Sequence, residues 1–251
     1  MILDEILRCT EARVAAMGAL PSPSCAHTPV SLSGAIRAAG DRIAVIAELK
    51  SASPSQGSIR PDMDVAMMAG AFIAGGCTAL SVLTEPHFFG GSTDLLPRVR
   101  SCAGVPILRK DFIIDMAQLE ETRALGADAV LLIAGVLGEN LPEFVDRCFA
   151  LGLEPLVEVH TRDEVPGALA SGAEVIGINN RDLRTLKIDL RTTGNLSMMV
   201  RKEGRLVVSE SGILWPYHVK ALRNAADAFL IGTALMASKN PKKTLEGFVY
   251  A

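Results

Sequence analysis

Short apolar runs recur along the chain at intervals of roughly 20 to 30 residues, at 43–49, 78–83, 105–108, 129–133, 155–159, 175–178, 206–208 and 228–231. Their apolar character is nearly continuous rather than strictly alternating, which predicts strands covered on both faces, as in a parallel sheet. Segments with helical spacing lie between them, among them 116–125, 140–151, 163–171 and 215–224. The pairs Gly75-Gly76, Gly126-Ala127 and Gly172-Ala173 each precede a strand, where a helix C-terminus needs glycine before the chain re-enters a sheet. Strand–helix alternation on this scale predicts βαβ units, and about eight of them favour a closed barrel over an open sheet. The expected fold is therefore α/β, a (β/α)8 TIM barrel. A single domain over 1–251 is expected, with 1–40 as an N-terminal helical extension (a helix over 3–17, then a Pro/Ser-rich stretch over 20–30) and 41–251 as the barrel.

One segment tests this reading. Residues 65–84 carry no charge over twenty positions, close to the length of a membrane span. Gly75-Gly76 divides it into an Ala/Met-rich half and a half with β-branched residues, so helix–turn–strand is expected and no membrane association. The start, Met1-Ile-Leu-Asp-Glu-Ile-Leu-Arg, has early acids and no long apolar region, unlike a signal peptide.

Composition narrows the function classes. The length, 251 residues, suits one α/β barrel, and 49% hydrophobic residues are ample for a core. A net charge of −3 argues against general nucleic-acid binding, which needs a basic face, but leaves small anionic substrates open. The five cysteines (Cys9, Cys25, Cys77, Cys102, Cys148) are odd in number, far apart and without a CxxC pair, and the four histidines show no ligand spacing. No metal, cofactor or disulfide framework is expected, but reduced, mostly buried thiols in a cytoplasmic protein.

The candidate chemistry lies where the strands end. Glu48 and Lys50, two apart, share one face of the first strand. Burying unpaired charges costs several kcal/mol each, so such a pair asks for a use. Ser81 and Thr84-Glu85 end the second strand, Arg109-Lys110-Asp111-Phe112 the third, Glu158-Val159-His160 the fifth, and Asn179-Asn180-Arg181 the sixth. Glu210-Ser211-Gly212 and Gly232-Thr233 end the seventh and eighth. In a (β/α)8 barrel these ends surround the mouth where active sites sit. Any one of them alone reads as an ordinary polar residue of a solvated loop. Lys110, Glu158, Glu48 and Glu210 together, each directly after an apolar run, read as a convergent ring with shifted pKa values. Gly212, Gly232 and Thr233 fall in the two loops that often bind phosphate in this fold, and 233–236 could be the accompanying short helix.

With these residues in hand, the chain resembles the indole-3-glycerol phosphate synthase family. The motifs are Ala47-Glu-Leu-Lys-Ser-Ala-Ser-Pro-Ser, Ser81-Val-Leu-Thr-Glu, Phe88-Phe-Gly-Gly-Ser, Leu108-Arg-Lys-Asp-Phe, Ala127-Asp-Ala-Val-Leu-Leu-Ile, Leu156-Val-Glu-Val-His, Gly177-Ile-Asn-Asn-Arg-Asp-Leu and Val208-Ser-Glu-Ser-Gly-Ile. The resemblance implies ring closure, decarboxylation and dehydration of 1-(2-carboxyphenylamino)-1-deoxyribulose 5-phosphate in tryptophan biosynthesis. It further implies Lys110 as general acid, Glu158 as general base, Lys50 as a second acid, Glu48 and Glu210 as residues that orient the lysines, and Asn179 and Ser211 at the reacting groups. Ser53, Ser81, Phe89, Phe112 and Arg181 are then expected to bind substrate. A monomer is expected, with association to other enzymes of the pathway open.

The chain departs from the family pattern at Gln56, where a lysine is usual, at Ala117-Gln118, where Tyr-Gln is usual, and in an extension without tryptophan. Stacking on a substrate ring is therefore expected from Phe89 or Phe112. Trp215 is expected to start a helix rather than touch a ligand. Two alternatives stand beside this reading. An isomerase acting on phosphoribosylanthranilate on a similar barrel would be built around Cys and Asp, and no cysteine here ends a strand in that context. A non-catalytic phosphate-binding barrel would have no use for the ring of Lys and Glu.

Overall fold

The computed structural model describes residues 2–19, 27–53, 57–60 and 63–251. Cys25, Gln56 and most of the Pro/Ser-rich stretch lie outside the described residues. Eight parallel strands close into a barrel: β1 Ala44–Leu49, β2 Ala79–Leu83, β3 Ile107–Lys110, β4 Ala129–Ile133, β5 Glu154–Val159, β6 Val175–Asn179, β7 Leu206–Glu210 and β8 Ala228–Ile231. Each strand pairs with the next, and β1 pairs with both β2 and β8. Outer helices follow the strands in turn, from Val65–Ala74 after β1 to Pro241–Val249 after β8.

Side-chain alternation sorts each strand between two apolar layers. In β1, Val45, Ala47 and Leu49 pack outward against the helices, while Ala44 and Ile46 point into the barrel with Leu108, Leu131, Leu156, Val208 and Leu230. Continuing the inward series puts Glu48 above Ile46, Glu158 above Leu156 and Glu210 above Val208. The uncharged stretch resolves as expected into the Val65–Ala74 helix, capped by the Asp64 carboxylate at the amides of Ala66 and Met67, and strand β2. Among the described residues no helix is long and apolar enough to cross a membrane.

The extension forms two helices at opposite ends of the barrel. Helix α1 (Ile2–Ala15) lies at the C-terminal mouth, and its Arg13 grips both oxygens of Asp111 at 2.9 and 2.7 Å. Helix α2 (Leu32–Arg37) closes the other end. Its Leu32 and Ile36 join the interior cluster of Ala44, Val175 and Ala228, which begin β1, β6 and β8. The Glu154 carboxylate at the start of β5 accepts from the amides of Leu32 and Ser33, so the first turn of α2 is tied to the sheet.

The cysteines only partly fit expectation. Cys77 and Cys148 are buried, and burial pushes both thiols up to about 12. Cys9 is half-buried and Cys102 exposed, because one faces outward on α1 and the other sits in the turn after the Leu95–Arg100 helix.

Candidate active site

The inward-facing strand ends converge on two adjoining cavities at the mouth. The larger is lined by Glu48, Lys50, Ser53, Phe89, Lys110, Phe112, Glu158, Asn179, Arg181 and Ser211. The smaller shares Glu48, Lys50, Lys110, Arg181 and Ser211 and adds Glu210, Gly212, Gly232 and Thr233. Every residue expected from the sequence to act on or bind the substrate borders one cavity or the other except Ser81. Ser81 is fully buried within the barrel, level with Glu48 on β1 and Leu108 on β3, and lines neither cavity.

Lys110 lies at the centre. Its Nζ is 3.2 Å from Glu158 Oε2 and 3.2 Å from Glu210 Oε2. The Lys110 side chain retains 16% exposure and lines both cavities, whereas the side chains of the two acids keep 2% and 1%, so the acids form a floor under a reachable cation. The sequence suggested that Lys110 and Glu158 flank a ligand; in the structure they touch. Burial opposes the charge on Lys110, but Glu158, Glu210 and Glu48 more than offset it and hold its pKa above the usual lysine range. Burial also opposes charge on Glu158, yet Lys110, His160 and Asn179 hold this carboxyl well below the usual range. Glu210 goes the other way: burial and the neighbouring Glu158 push it up to about 8 against the pull of Lys110.

The second lysine has its own partner. Lys50 Nζ is 2.7 Å from Glu48 Oε1, and the pair sits over Gly232 at the end of β8. A Cβ at Gly232 would overlap the Glu48 carboxylate and come within 3.0 Å of Lys50 Nζ. Gly177 plays the same part for the other pair, because a Cβ there would overlap Glu210 Oε1. Two inward glycines thus make the space in which two acids fold beside their lysines.

The loop after β7 is held by Asn180. Its Nδ2 donates to Ser209 Oγ (3.1 Å), Glu210 O (2.9 Å) and Ser211 O (3.1 Å), while its Oδ1 accepts from the Thr193 amide. Ser211 and Gly212 are both left-handed, with φ of 65° and 81°. For Ser211 that conformation costs on the order of 1–3 kcal/mol, which the Asn180 contacts sustain. A side chain at Gly212 would strike Ile188 and Leu190. Gly232 then precedes the short helix Thr233–Met236, as anticipated.

The aromatic side of the larger cavity is built by a turn. Glu85, fully buried, accepts from the amides of His87 (2.9 Å), Phe88 (2.7 Å) and Phe89 (3.1 Å), while its carbonyl accepts from Gly91 (2.8 Å). A Cβ at Gly91 would meet the Leu83 carbonyl at 2.5 Å, so the second glycine of Phe-Phe-Gly-Gly is required by close backbone approach. Phe89 then tilts against Phe112, with ring centroids 6.4 Å apart. Arg181 stands between the cavities; its amide donates to Asn179 Oδ1 (3.0 Å) and its Nη1 to the carbonyl of Leu186, whose φ is 59°. Trp215 stands at the N-terminal end of the Pro216–Leu222 helix and is 59% exposed, as its sequence position suggested.

Sequence reasoning missed four contributions. Ile2, Leu3 and Ile6 of α1 wall the larger cavity, and their i, i+1, i+4 spacing marked a buried face without saying what it covers. Leu131, Leu183 and Leu186 line the same cavity without any polar signal. Glu85 looked like one more strand-end acid. His160, read only as part of a motif, contacts Glu158.

Comparison with known proteins agrees with this geometry. The sequence model of the family described as indole-3-glycerol phosphate synthase matches residues 3–248. A relative of that name from Acetivibrio thermocellus is 45% identical over 224 residues, covering 88% of this chain and 85% of its own. One from Deinococcus radiodurans is 48% identical over 201 residues, covering 79% and 75%. Among solved structures, a 3-hexulose-6-phosphate synthase superposes with a TM-score of 0.65 at 13% identity, covering 83% of this chain and 100% of that one. A thiamine phosphate pyrophosphorylase from Pyrococcus furiosus gives 0.61 at 15% identity, over 82% and 93%. At those identities the structures speak for the barrel alone. The sequence match runs from α1 through the last helix and includes every residue of both lysine clusters, so the chain belongs to the indole-3-glycerol phosphate synthase family.

Proposed function

We propose that the protein converts 1-(2-carboxyphenylamino)-1-deoxyribulose 5-phosphate into indole-3-glycerol phosphate, closing the indole ring with loss of carbon dioxide and water. The observation that carries this reading is the Lys110 ammonium, reachable from an apolar cavity on one side and from a glycine- and hydroxyl-lined cavity on the other. The aryl end of the substrate fits against Phe89, Phe112 and the apolar face of α1. The phosphate fits the cradle of Gly212, Gly232 and Thr233, and Arg181 between the two suits an anionic group of the substrate.

Ring closure places negative charge on the ketone oxygen as the aromatic carbon attacks. Lys110 meets that charge as general acid, an electrostatic service most effective where water is excluded. Glu158 then removes a proton in the dehydration, with Lys50 as the acid that assists the leaving hydroxyl. Glu48 and Glu210 orient the two lysines, Asn179 and Ser211 hold the substrate beside them, and Ser53 borders the pocket at the loop after β1. A positioned acid or base is worth about 10²–10⁴-fold. The same reading has the protein act on a small phosphorylated substrate in the cytoplasm, as a monomer free to associate with neighbouring enzymes.

The test is direct. Purified protein with the carboxyphenylamino substrate is expected to produce indole fluorescence, and Lys110→Ala is expected to fold normally and lose turnover. Wild-type rates in that variant would remove Lys110 from the mechanism; no product from the wild type would remove the assignment.

A further inference from the structure

Lys110 stands at equal distance from two buried acids, and nothing in that symmetry decides which of them is ionised. We propose that His160, backed by Glu164, breaks the tie: it makes Glu158 the standing anion and leaves Glu210 as the acid that carries the proton. His160 is then a positioning residue acting through Glu158. This assignment rests on the ring-closure reading above and deepens it, because it states which carboxylate is ready to act as base.

The geometry is one-sided. His160 follows β5 directly, two residues beyond Glu158 and on the same face, and its Nε2 lies 3.1 Å from Glu158 Oε1. Glu158 is therefore held between two cations, His160 at Oε1 and Lys110 at Oε2. Behind the imidazole, Glu164 Oε2 accepts from the His160 amide at 2.7 Å and lies 3.6 Å from Nδ1. The two ring contacts are charge pairs rather than aligned hydrogen bonds, and an acid on each side of the ring favours the imidazolium.

Glu210 has no such support. Its Oε2 meets Lys110, while its Oε1 is buried without a hydrogen-bond partner among the described residues, against the bare Cα of Gly177. A buried carboxylate oxygen without a donor favours the protonated form.

The surrounding charges agree with this order. From β1, Glu48 acts on the cluster through Lys110; from β6, Asn179 is neutral; from the loop after β6, Asp182 feels the His160 charge. The turn Ala134–Leu137, packed against β5, carries no titratable side chain. Burial opposes the imidazolium, but Glu158 and Glu164 push His160 up to about 10, so it stays charged across the neutral range.

Two measurements test this. The first follows kcat and KM for the carboxyphenylamino substrate from about pH 5 to 9 in wild type, His160→Gln and Glu164→Gln. Without the imidazolium Glu158 keeps its proton to higher pH. Wild type, with Glu158 ionised throughout this window, should show no acidic limb from it. In H160Q the proton held by Glu210 reaches Glu158 and an acidic limb should enter the window, roughly a tenfold loss at the acidic end that recovers as pH rises. A smaller loss of the same kind is expected in E164Q, which also serves if H160Q folds poorly, and KM should change little. A destabilised but otherwise unaltered site would lower the rate equally at all pH values. The second measurement needs no turnover: carboxyl-carbon NMR of glutamate-labelled protein should show one buried acid still protonated near neutral pH, absent in Glu210→Gln, and proton occupancy spreading to Glu158 in H160Q. An acidic limb absent from both variants, or an ionised Glu210 at neutral pH, overturns the role of His160 while leaving the assigned reaction standing. A wild type that shows the NMR pattern but makes no product overturns the reaction instead.

Discussion

Arg109 and Lys110 are neighbours on β3, both charged and both largely enclosed, and they serve opposite ends. Arg109 points outward, fully buried, and all three of its guanidinium nitrogens are bonded: Nε donates to Thr84 Oγ1, Nη1 to Gln118 O and Thr122 Oγ1, and Nη2 to Asp111, with Glu121 2.8 Å from Nη1. Asp111 is equally engaged, taking Arg13, Thr84 Oγ1 and the Phe112 amide besides Arg109. Lys110 points inward to carboxylates at 3.2 Å, one of which has an oxygen without a hydrogen-bond partner among the described residues, and it remains open to a cavity. A buried charge with every nitrogen bonded to a fixed partner holds a structure in place. One held loosely, among acids of divergent proton affinity and beside open space, is available for chemistry.

Substitutions should separate the two networks. The largest effect is expected for Lys110→Met, a loss of about 10²–10⁴-fold in turnover with a circular dichroism spectrum and melting temperature close to wild type. A collapse of folding instead would place Lys110 with Arg109 as a structural charge. The mirror experiment is Asp111→Ala, which strands two guanidinium groups. It should cost about 3–5 kcal/mol in urea unfolding, and activity per folded molecule should fall far less than stability. Should the order reverse, with stability intact and turnover lost, the division between the faces of β3 fails.

Gly232→Ala probes the space rather than the charge. The new Cβ must displace the Glu48 carboxylate, and a shift of about 1 Å in catalytic groups is worth up to about 10²-fold in kcat. An unchanged kcat would mean that the Lys50–Glu48 pair needs no fixed position. Phe89→Leu should have a smaller effect, raising KM several-fold, since an aromatic contact is worth about 0.5–1.5 kcal/mol.

The smallest signal is a pH dependence of stability. His160 is raised from 6.5 to about 10, so its contribution is complete below about pH 6.5 and is lost as pH rises through about 10. The stability difference between wild type and H160Q should narrow across that window in denaturant titrations. A constant gap would mean that the pair is held by packing alone.

Much of this was legible in the chain. The eight runs were found in order because buried parallel strands leave continuous apolar segments, and the parity of Glu48 with Lys50 gave their shared face because strand side chains alternate. What stayed hidden was depth. Ser81 looked like its neighbours because position along a strand end says which face a residue takes, not whether a cavity reaches down to it. The helix at residues 2–15 was visible as a helix, yet nothing local told that its apolar face walls the pocket, or that α2 plugs the far end.

By itself, then, the order of residues determined the barrel, its eight strand ends and the residue types they carry, since periodicity and strand parity are local properties of a chain. Only the closed tertiary structure decided which of those ends touch. It set Lys110 against Glu158 and Glu210, Glu48 over Gly232, and His160 against one acid but not the other. Proton affinities of buried groups follow from such distances and from lost water, and both exist only once strands far apart in sequence have been brought around one axis.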